Sequence, residues 1–151
     1  MPNVETKYFG TMPFDEESSF EFPWGLPAFE EERRFLPLQM PGYKPLVFLQ
    51  STANSGLCFV AIPVLVAEPE YELAVSPEDL RALGLDPGRQ PRIGSEVLVL
   101  ALLSMREEAP TTANLLAPVI VNLATRQALQ AIRHDAVYSH AQPLAAQECA
   151  C

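Results

Sequence analysis

Basic residues are scarce in this chain: ten lysines and arginines stand against nineteen aspartates and glutamates in 151 residues. The resulting net charge of −9 disfavours direct nucleic-acid binding, which relies on lysine and arginine to neutralise phosphates. Histidine is scarcer still. The only two, His134 and His140, lie close to the C-terminal end, a poor position for a preorganised general base, and read as surface residues. Ser139 beside His140 lacks a glycine-flanked nucleophile turn, so no catalytic triad is indicated. The seven glycines form neither a GxxxxGKS/T nor a GxGxxG phosphate cradle, and the stretch from Gly84 to Gly94 carries the prolines of a loop. Together these gaps argue against an enzyme.

Long apolar runs are missing as well. Residues 97–103 and 115–123 fall far short of the ~20 needed to cross a bilayer, and residues 1–7 lack the basic start and apolar core of a secretory signal. A cytoplasmic protein without a membrane span is expected. Cys58 lies in an apolar run, whereas Cys149 and Cys151 sit in the last three residues. That arrangement is unlike a disulfide framework, and the tail pair supplies too few ligands for a closed metal site. The runs Asp15-Glu16-Glu17 and Glu30-Glu31-Glu32 read as solvated faces. No metal and no cofactor is expected.

What is present is enough apolar material for one core: 48% of the residues are hydrophobic, and the length suits a single domain. The apolar residues fall in short or alternating runs, at 4–9, 33–38, 46–51, 58–66, 71–75, 97–105 and 115–123, broken by fifteen prolines. This spacing predicts an all-β sandwich or barrel. One short helix is marked over 76–84, with Ser76 as N-cap, Pro77 in the first turn and Gly84 as the stop. Residues 122–134 are ambiguous, because Ala, Leu, Gln and Arg favour helix while the flanks read as strands. The domain is expected to span residues 1–141, with a disordered tail over 142–151.

The acidity is concentrated. Eight acids and Lys7 alone in residues 1–32 give −7, five acids in residues 67–79 give −5, and the rest of the chain is at +3. Such segments either keep the domain soluble or face a basic protein partner. The run from Phe20 to Glu30 adds aromatics against prolines, which build a core edge or a partner-binding groove.

The residues Thr6-Lys7-Tyr8-Phe9-Gly10 and Phe22-Pro23-Trp24-Gly25-Leu26-Pro27-Ala28-Phe29-Glu30 closely resemble the opening of the flagellar assembly factor FliW family. The likeness continues through Phe48-Leu49-Gln50-Ser51, Glu96-Val97-Leu98-Val99-Leu100 and the stretch from Thr112 to Asn122. Departures are Ala28 for a frequent glycine, Ile62-Pro63 for a common Asp-Pro, and Ala128 for a turn glycine in the last hairpin. The resemblance implies a compact, mostly antiparallel β-barrel-like domain, monomeric when free, with a strand-turn-strand over 122–134. It implies a partner switch that binds flagellin and the translational regulator CsrA, and so antagonises CsrA repression of flagellin mRNA.

On that basis Glu30, Glu31, Glu70 and Glu72 are candidates for an acidic CsrA-binding surface. Thr112, Asn114, Leu116, Val119 and Asn122, with Leu115 and Val121, are candidates for a groove that takes an apolar flagellin helix. Alternate members of that run can equally be core. A β-barrel that binds a small molecule in its mouth stays open as the other class of function.

Overall fold

The computed structural model describes residues 3–7, 10–13, 18–26, 29–40, 42–105 and 109–144. Within them run β1 (Asn3–Thr6), β2 (Gly10–Pro13), β3 (Phe20–Glu21), β4 (Arg34–Leu38), β5 (Val47–Ser51) and β6 (Cys58–Pro63). Two short helices follow, α1 (Val64–Ala67) and α2 (Pro77–Ala82). The chain then forms β7 (Val97–Ser104), β8 (Thr112–Ala113), β9 (Val119–Asn122), β10 (Ala128–Gln130) and β11 (Gln142–Pro143). The first two strands make a separate hairpin; the others form one sheet in the order β10-β9-β7-β6-β5-β4-β3, with β8 on β7 and β11 on β8. Every strand pair is antiparallel.

Strand β7 explains the architecture. Its sequence, Val-Leu-Val-Leu-Ala-Leu-Leu, has no polar alternation because both of its faces are covered. Val97, Val99 and Ala101 belong to one core with Ile62, Ile120 and Leu129, roofed by Val64, Leu80, Leu83, Tyr71 and Val75. Leu98, Leu100 and Leu102 face the other core, with Phe20, Phe22, Phe35, Leu49, Val119 and Val121. This second core collects residues from all seven main-path strands, which places it inside the curl of the sheet. Phe22 and Phe35 meet edge to face there at 5.4 Å, a geometry that contributes about 0.5–1.5 kcal/mol beyond burial.

The all-β expectation holds, but the sheet is not a closed barrel. The end strands β3 and β10 form no ladder; they approach through the single bridge Glu21 to Gln127. There the Glu21 N–H donates to the Arg126 carbonyl at 3.0 Å, and the Gln127 side-chain amide donates to the Glu21 carboxylate at 3.2 Å. Arg34 holds the other oxygen of Glu21 at 2.6 Å. Pro23, two residues beyond, lacks an N–H and cannot extend the pairing.

The predicted helix forms as α2. Ser76 accepts from the Asp79 N–H at 3.2 Å, and at the far end Gly84 takes φ 75°. The N–H groups of Gly84 and Leu85 return to the carbonyls of Arg81 and Leu80 at 3.0 and 2.8 Å, the paired bonds of a Schellman stop. Asn122 fastens this end to the sheet, since its buried amide donates to the Leu83 carbonyl at 2.7 Å and accepts from Ala124 N–H at 3.0 Å.

Three expectations change. A second helix, α1, replaces the end of the strand expected over 58–66. It is a single turn, too short to carry a 3.6-residue period, and begins after Pro63, which ends the pairing with β7. Residues 71–75 alternate buried and exposed yet join no strand. Gln90 satisfies Val75 on both sides, accepting from its N–H at 2.8 Å and donating to its carbonyl at 3.0 Å. A period of two thus marks extended backbone with one covered face, whatever supplies the hydrogen bonds. Pairing also continues to Pro143, past the expected boundary at 141; residues 145–151 lie outside the described residues.

The ambiguous 122–134 stretch is strand-turn-strand. Its left-handed residue is Arg126, at φ 66°, whose N–H reaches the Asn122 carbonyl at 2.7 Å, while Ala128 lies buried in β10.

Two outcomes follow from these contacts. Asn122→Ala leaves the Leu83 carbonyl and the Ala124 N–H without their partner, and a loss of about 1–3 kcal/mol is expected in urea unfolding. The Arg89 guanidinium forks onto Glu96 at 2.9 and 2.6 Å; with the Arg92 N–H it holds this carboxyl down from 4.5 to about 2. A depressed carboxyl stabilises the fold above its unfolded value and loses that effect as pH falls through the folded one. Stability should therefore decline from pH 4.5 to about 2, and Glu96→Gln should flatten that part of the profile in urea titrations at stepped pH.

Candidate partner-binding surface

The aromatic run 20–30 divides by residue. Phe20, Phe22 and Leu26 are buried in the inner core, whereas Trp24 and Phe29 are 56% and 40% exposed. Gly25 makes the division possible: at φ 64° a Cβ there would stand 2.4 Å from the Glu30 backbone. The turn closes through Phe29 N–H to Leu26 C=O at 2.7 Å and Glu32 N–H to Phe29 C=O at 3.0 Å. It presents Glu30 and Glu31 to solvent, beside an open hollow lined by Phe29 and Glu30 to Glu32. Glu32 is held back, accepting from the Ser51 hydroxyl at 2.8 Å. Phe29 leans on Phe59, edge to face at 5.5 Å, so the turn is tied to β6.

The second acidic segment borders the outer core. Glu70 and Glu72 are exposed on either side of buried Tyr71. Tyr71 stacks on Tyr138 at 4.6 Å, and the Arg133 guanidinium lies 5.3 and 4.8 Å from the two ring centroids. Arg133 is 7% exposed and fully engaged: it forks onto Asp135 at 2.9 Å twice, and donates to the Tyr71 hydroxyl at 3.2 Å and the Glu72 carbonyl at 2.6 Å. The Glu72 N–H in turn donates to the Tyr138 hydroxyl at 3.0 Å. Burial opposes the Arg133 charge, but the bonds to Asp135 and Tyr71 outweigh it and raise its pKa; burial likewise pushes the Tyr71 hydroxyl up. Both sides of the Glu72 peptide are thus fixed by side chains from the 133–138 loop.

Sequence reasoning missed this clamp. Arg133 sits in no local motif, and its partners are up to 62 residues away. His134 and His140 are exposed.

The candidate acids belong to two separate supports. Glu30 and Glu31 ride on a turn anchored to the inner core, and Glu70 and Glu72 on a segment anchored to the outer one. Asp15 to Glu17 lie outside the described residues.

The 112–122 stretch is not gathered into one groove. Val119 and Val121 are fully buried in the inner core and Ile120 between them in the outer core, because alternate strand residues face opposite ways; Leu115, between β8 and β9, is also buried in the outer core. Asn122 is taken up by Leu83 and Ala124. The Asn114 carboxamide oxygen accepts from the N–H groups of Leu116 and Ala117 at 3.1 and 3.0 Å, a turn that leaves Leu116 half-exposed, as is Thr112.

This fold and this sequence have relatives. The FliW protein family model matches residues 3–144. The chain belongs to the FliW family. Flagellar assembly factor FliW of Bacillus subtilis strain 168 is 33% identical over 147 residues, covering 97% of this chain and 99% of its own. That of Syntrophomonas wolfei is 32% identical over 142 residues, covering 93% and 87%. A crystal structure of the flagellar assembly factor FliW superposes with a TM-score of 0.82 at 29% identity, over 97% of this chain and 99% of the other. The FliW fold thus supplies the frame on which the two acidic segments and their clamps are set.

Arg133→Met, which keeps the stem and removes the fork, should cost about 1–3 kcal/mol, chiefly through the orphaned Glu72 carbonyl; the Tyr71 hydroxyl keeps its bond to the Leu115 carbonyl at 3.3 Å. In amide exchange the loss of protection should centre on Glu72; uniform loss over the sheet would show that Arg133 supports the whole fold and not this segment.

Proposed function

We propose that this chain is a flagellar assembly factor that works in the cytoplasm as a partner switch. It binds flagellin before export, and it binds CsrA, keeping that regulator off flagellin mRNA. Rising free flagellin occupies the protein, releases CsrA and lowers further flagellin synthesis. The observation that carries this reading is the extent of the FliW match, which runs from residue 3 to residue 144.

The chemistry of the surface agrees. Glu30, Glu31, Glu70 and Glu72 are exposed and make no ion pair among the described residues. Their charges are available to a basic partner, and an RNA-binding protein presents such a surface. Bringing these carboxylates against it also repels phosphates. For flagellin, Thr112, Asn114 and Leu116 are the members of the expected groove that retain exposed surface, whereas Val119 and Asn122 are buried. The small-molecule alternative is weakened by packing, because Phe20, Phe22, Phe35 and Leu49 fill the inside of the curl, where a barrel would hold its ligand.

Purified flagellin and CsrA provide the test. Reversal of the four glutamates to lysine should weaken CsrA binding by about tenfold or more at low salt and leave flagellin binding in place. Unchanged CsrA binding would remove the electrostatic contact. The pair Asn114→Ala, Leu116→Ala should weaken flagellin binding in a chain that still folds, and wild-type affinity there would count against that surface. A chain that captures neither protein would end the switch reading.

A further inference from the structure

The 114–116 turn and the Glu70–Glu72 segment, which carry the two candidate surfaces, meet at one buried joint. Leu115 has both of its backbone groups taken: its N–H donates to the Ser139 carbonyl at 2.9 Å, and its carbonyl accepts from the Tyr71 hydroxyl at 3.3 Å. The next carbonyl, that of Leu116, accepts from the Arg133 N–H at 2.9 Å. Arg133 then crosses to the acidic segment, since its side chain reaches the Tyr71 hydroxyl at 3.2 Å and the Glu72 carbonyl at 2.6 Å. Tyr138, beside Ser139, takes the Glu72 N–H at 3.0 Å. Residues 115–116 and 71–72 are thus bonded to each other directly and through both ends of the 133–139 loop.

The joint is buried but its two ends reach the surface. Leu115, Tyr71 and Arg133 are 1%, 5% and 7% exposed, and for groups so deep a bond left unmade costs more than the made bond contributes. Asn114, whose carboxamide shapes the turn through the N–H groups of Leu116 and Ala117, is half-buried, as is Leu116, and Glu70 and Glu72 are exposed. All of these residues fall within the described stretches 42–105 and 109–144.

We propose that Tyr71 and Arg133 couple the two surfaces, so that a ligand seizing the Asn114–Leu116 turn takes from Glu70 and Glu72 the pose in which they hold a basic ligand. The shift of the Leu116 carbonyl passes to the Arg133 backbone, and from the Arg133 side chain and the Tyr71 hydroxyl to the Glu72 peptide. Both are positioning residues, and neither needs to touch a ligand. Carboxylates held in place before contact bind a basic surface more tightly than mobile ones, and a close-packed joint moves as a unit instead of bending by degrees. The coupling is reciprocal, so a basic ligand on the acidic segment weakens binding at the turn by the same factor. The identity of the two ligands rests on the partner-switch reading; the coupling adds a route, other than direct collision, by which one partner weakens the other.

Two measurements on the full chain test it. In the first, flagellin is titrated into the chain alone and into the chain saturated with CsrA, and the ratio of the two dissociation constants is read. The ratio should be about fivefold or more for wild type and should fall toward one in Arg133→Met and in Tyr71→Phe, which keeps the ring and removes only the hydroxyl. A wild-type ratio of one, or a ratio that the variants leave unchanged as direct collision would, overturns the proposal. In the second, no partner is present: Asn114→Ala loosens the turn and should speed amide exchange at Glu72, and should do so by less in a Tyr71→Phe background. Faster exchange confined to residues 115–117 equally overturns the coupling. A chain that binds neither protein yet transmits the change to Glu72 upholds the coupling and ends the partner-switch reading.

Discussion

The structure depends on the burial of β7 and β9 from both sides. A sheet with one wet face could be flat and open; a strand reading Val-Leu-Val-Leu-Ala-Leu-Leu must be covered above and below. The two coverings are built differently. On one side the sheet curls until its own phenylalanines, from β3 and β4, reach the valines of β9. On the other, the two short helices and the 71–75 segment are laid across it. With fewer than two turns each, these helices have no independent stability and exist because the outer face needs a roof.

That roof is fastened by polar side chains more than by secondary structure. Asn122 ties α2 to β9, Gln90 stands in for a missing strand beside Val75, and Arg133 with Tyr138 holds both sides of the Glu72 peptide. Each satisfies backbone groups that these strands and helices leave unbonded. The seam where the sheet ends approach works in the same way: Glu21, Arg34 and Gln127 do with side chains what a full ladder would do in a closed barrel.

A scaffold of this kind suits binding. Its chemistry-bearing groups are carboxylates and apolar side chains set on turns with rigid supports, and the order of the supports is imposed by two cores. Exposed Trp24 and Phe29 next to Glu30 and Glu31, and exposed Ile132 and Val137 next to the clamp around Glu72, combine apolar area with negative charge. Partner interfaces draw affinity from the first and approach and register from the second.

Much of this was legible in the residues. Short apolar runs between prolines gave the all-β class, Ser76, Pro77 and Gly84 gave α2 to the residue, and the motifs spaced along the chain pointed to the FliW family; each of these signals is local or depends on order alone. The alternation at 71–75 was read as a strand and joins none, since a period of two records a covered face and says nothing of what covers it. The sequence placed Glu30, Glu31, Glu70 and Glu72 at the surface by charge. Only the tertiary structure decided that they stand on different supports, that Val119 and Val121 point into the inner core while Leu115 faces the outer one, and that Arg133 closes over Glu72 from 61 residues away. The reason is physical: local pattern fixes which way a side chain points from its own backbone, and the identity of what it meets is set by strands and loops brought together from across the chain.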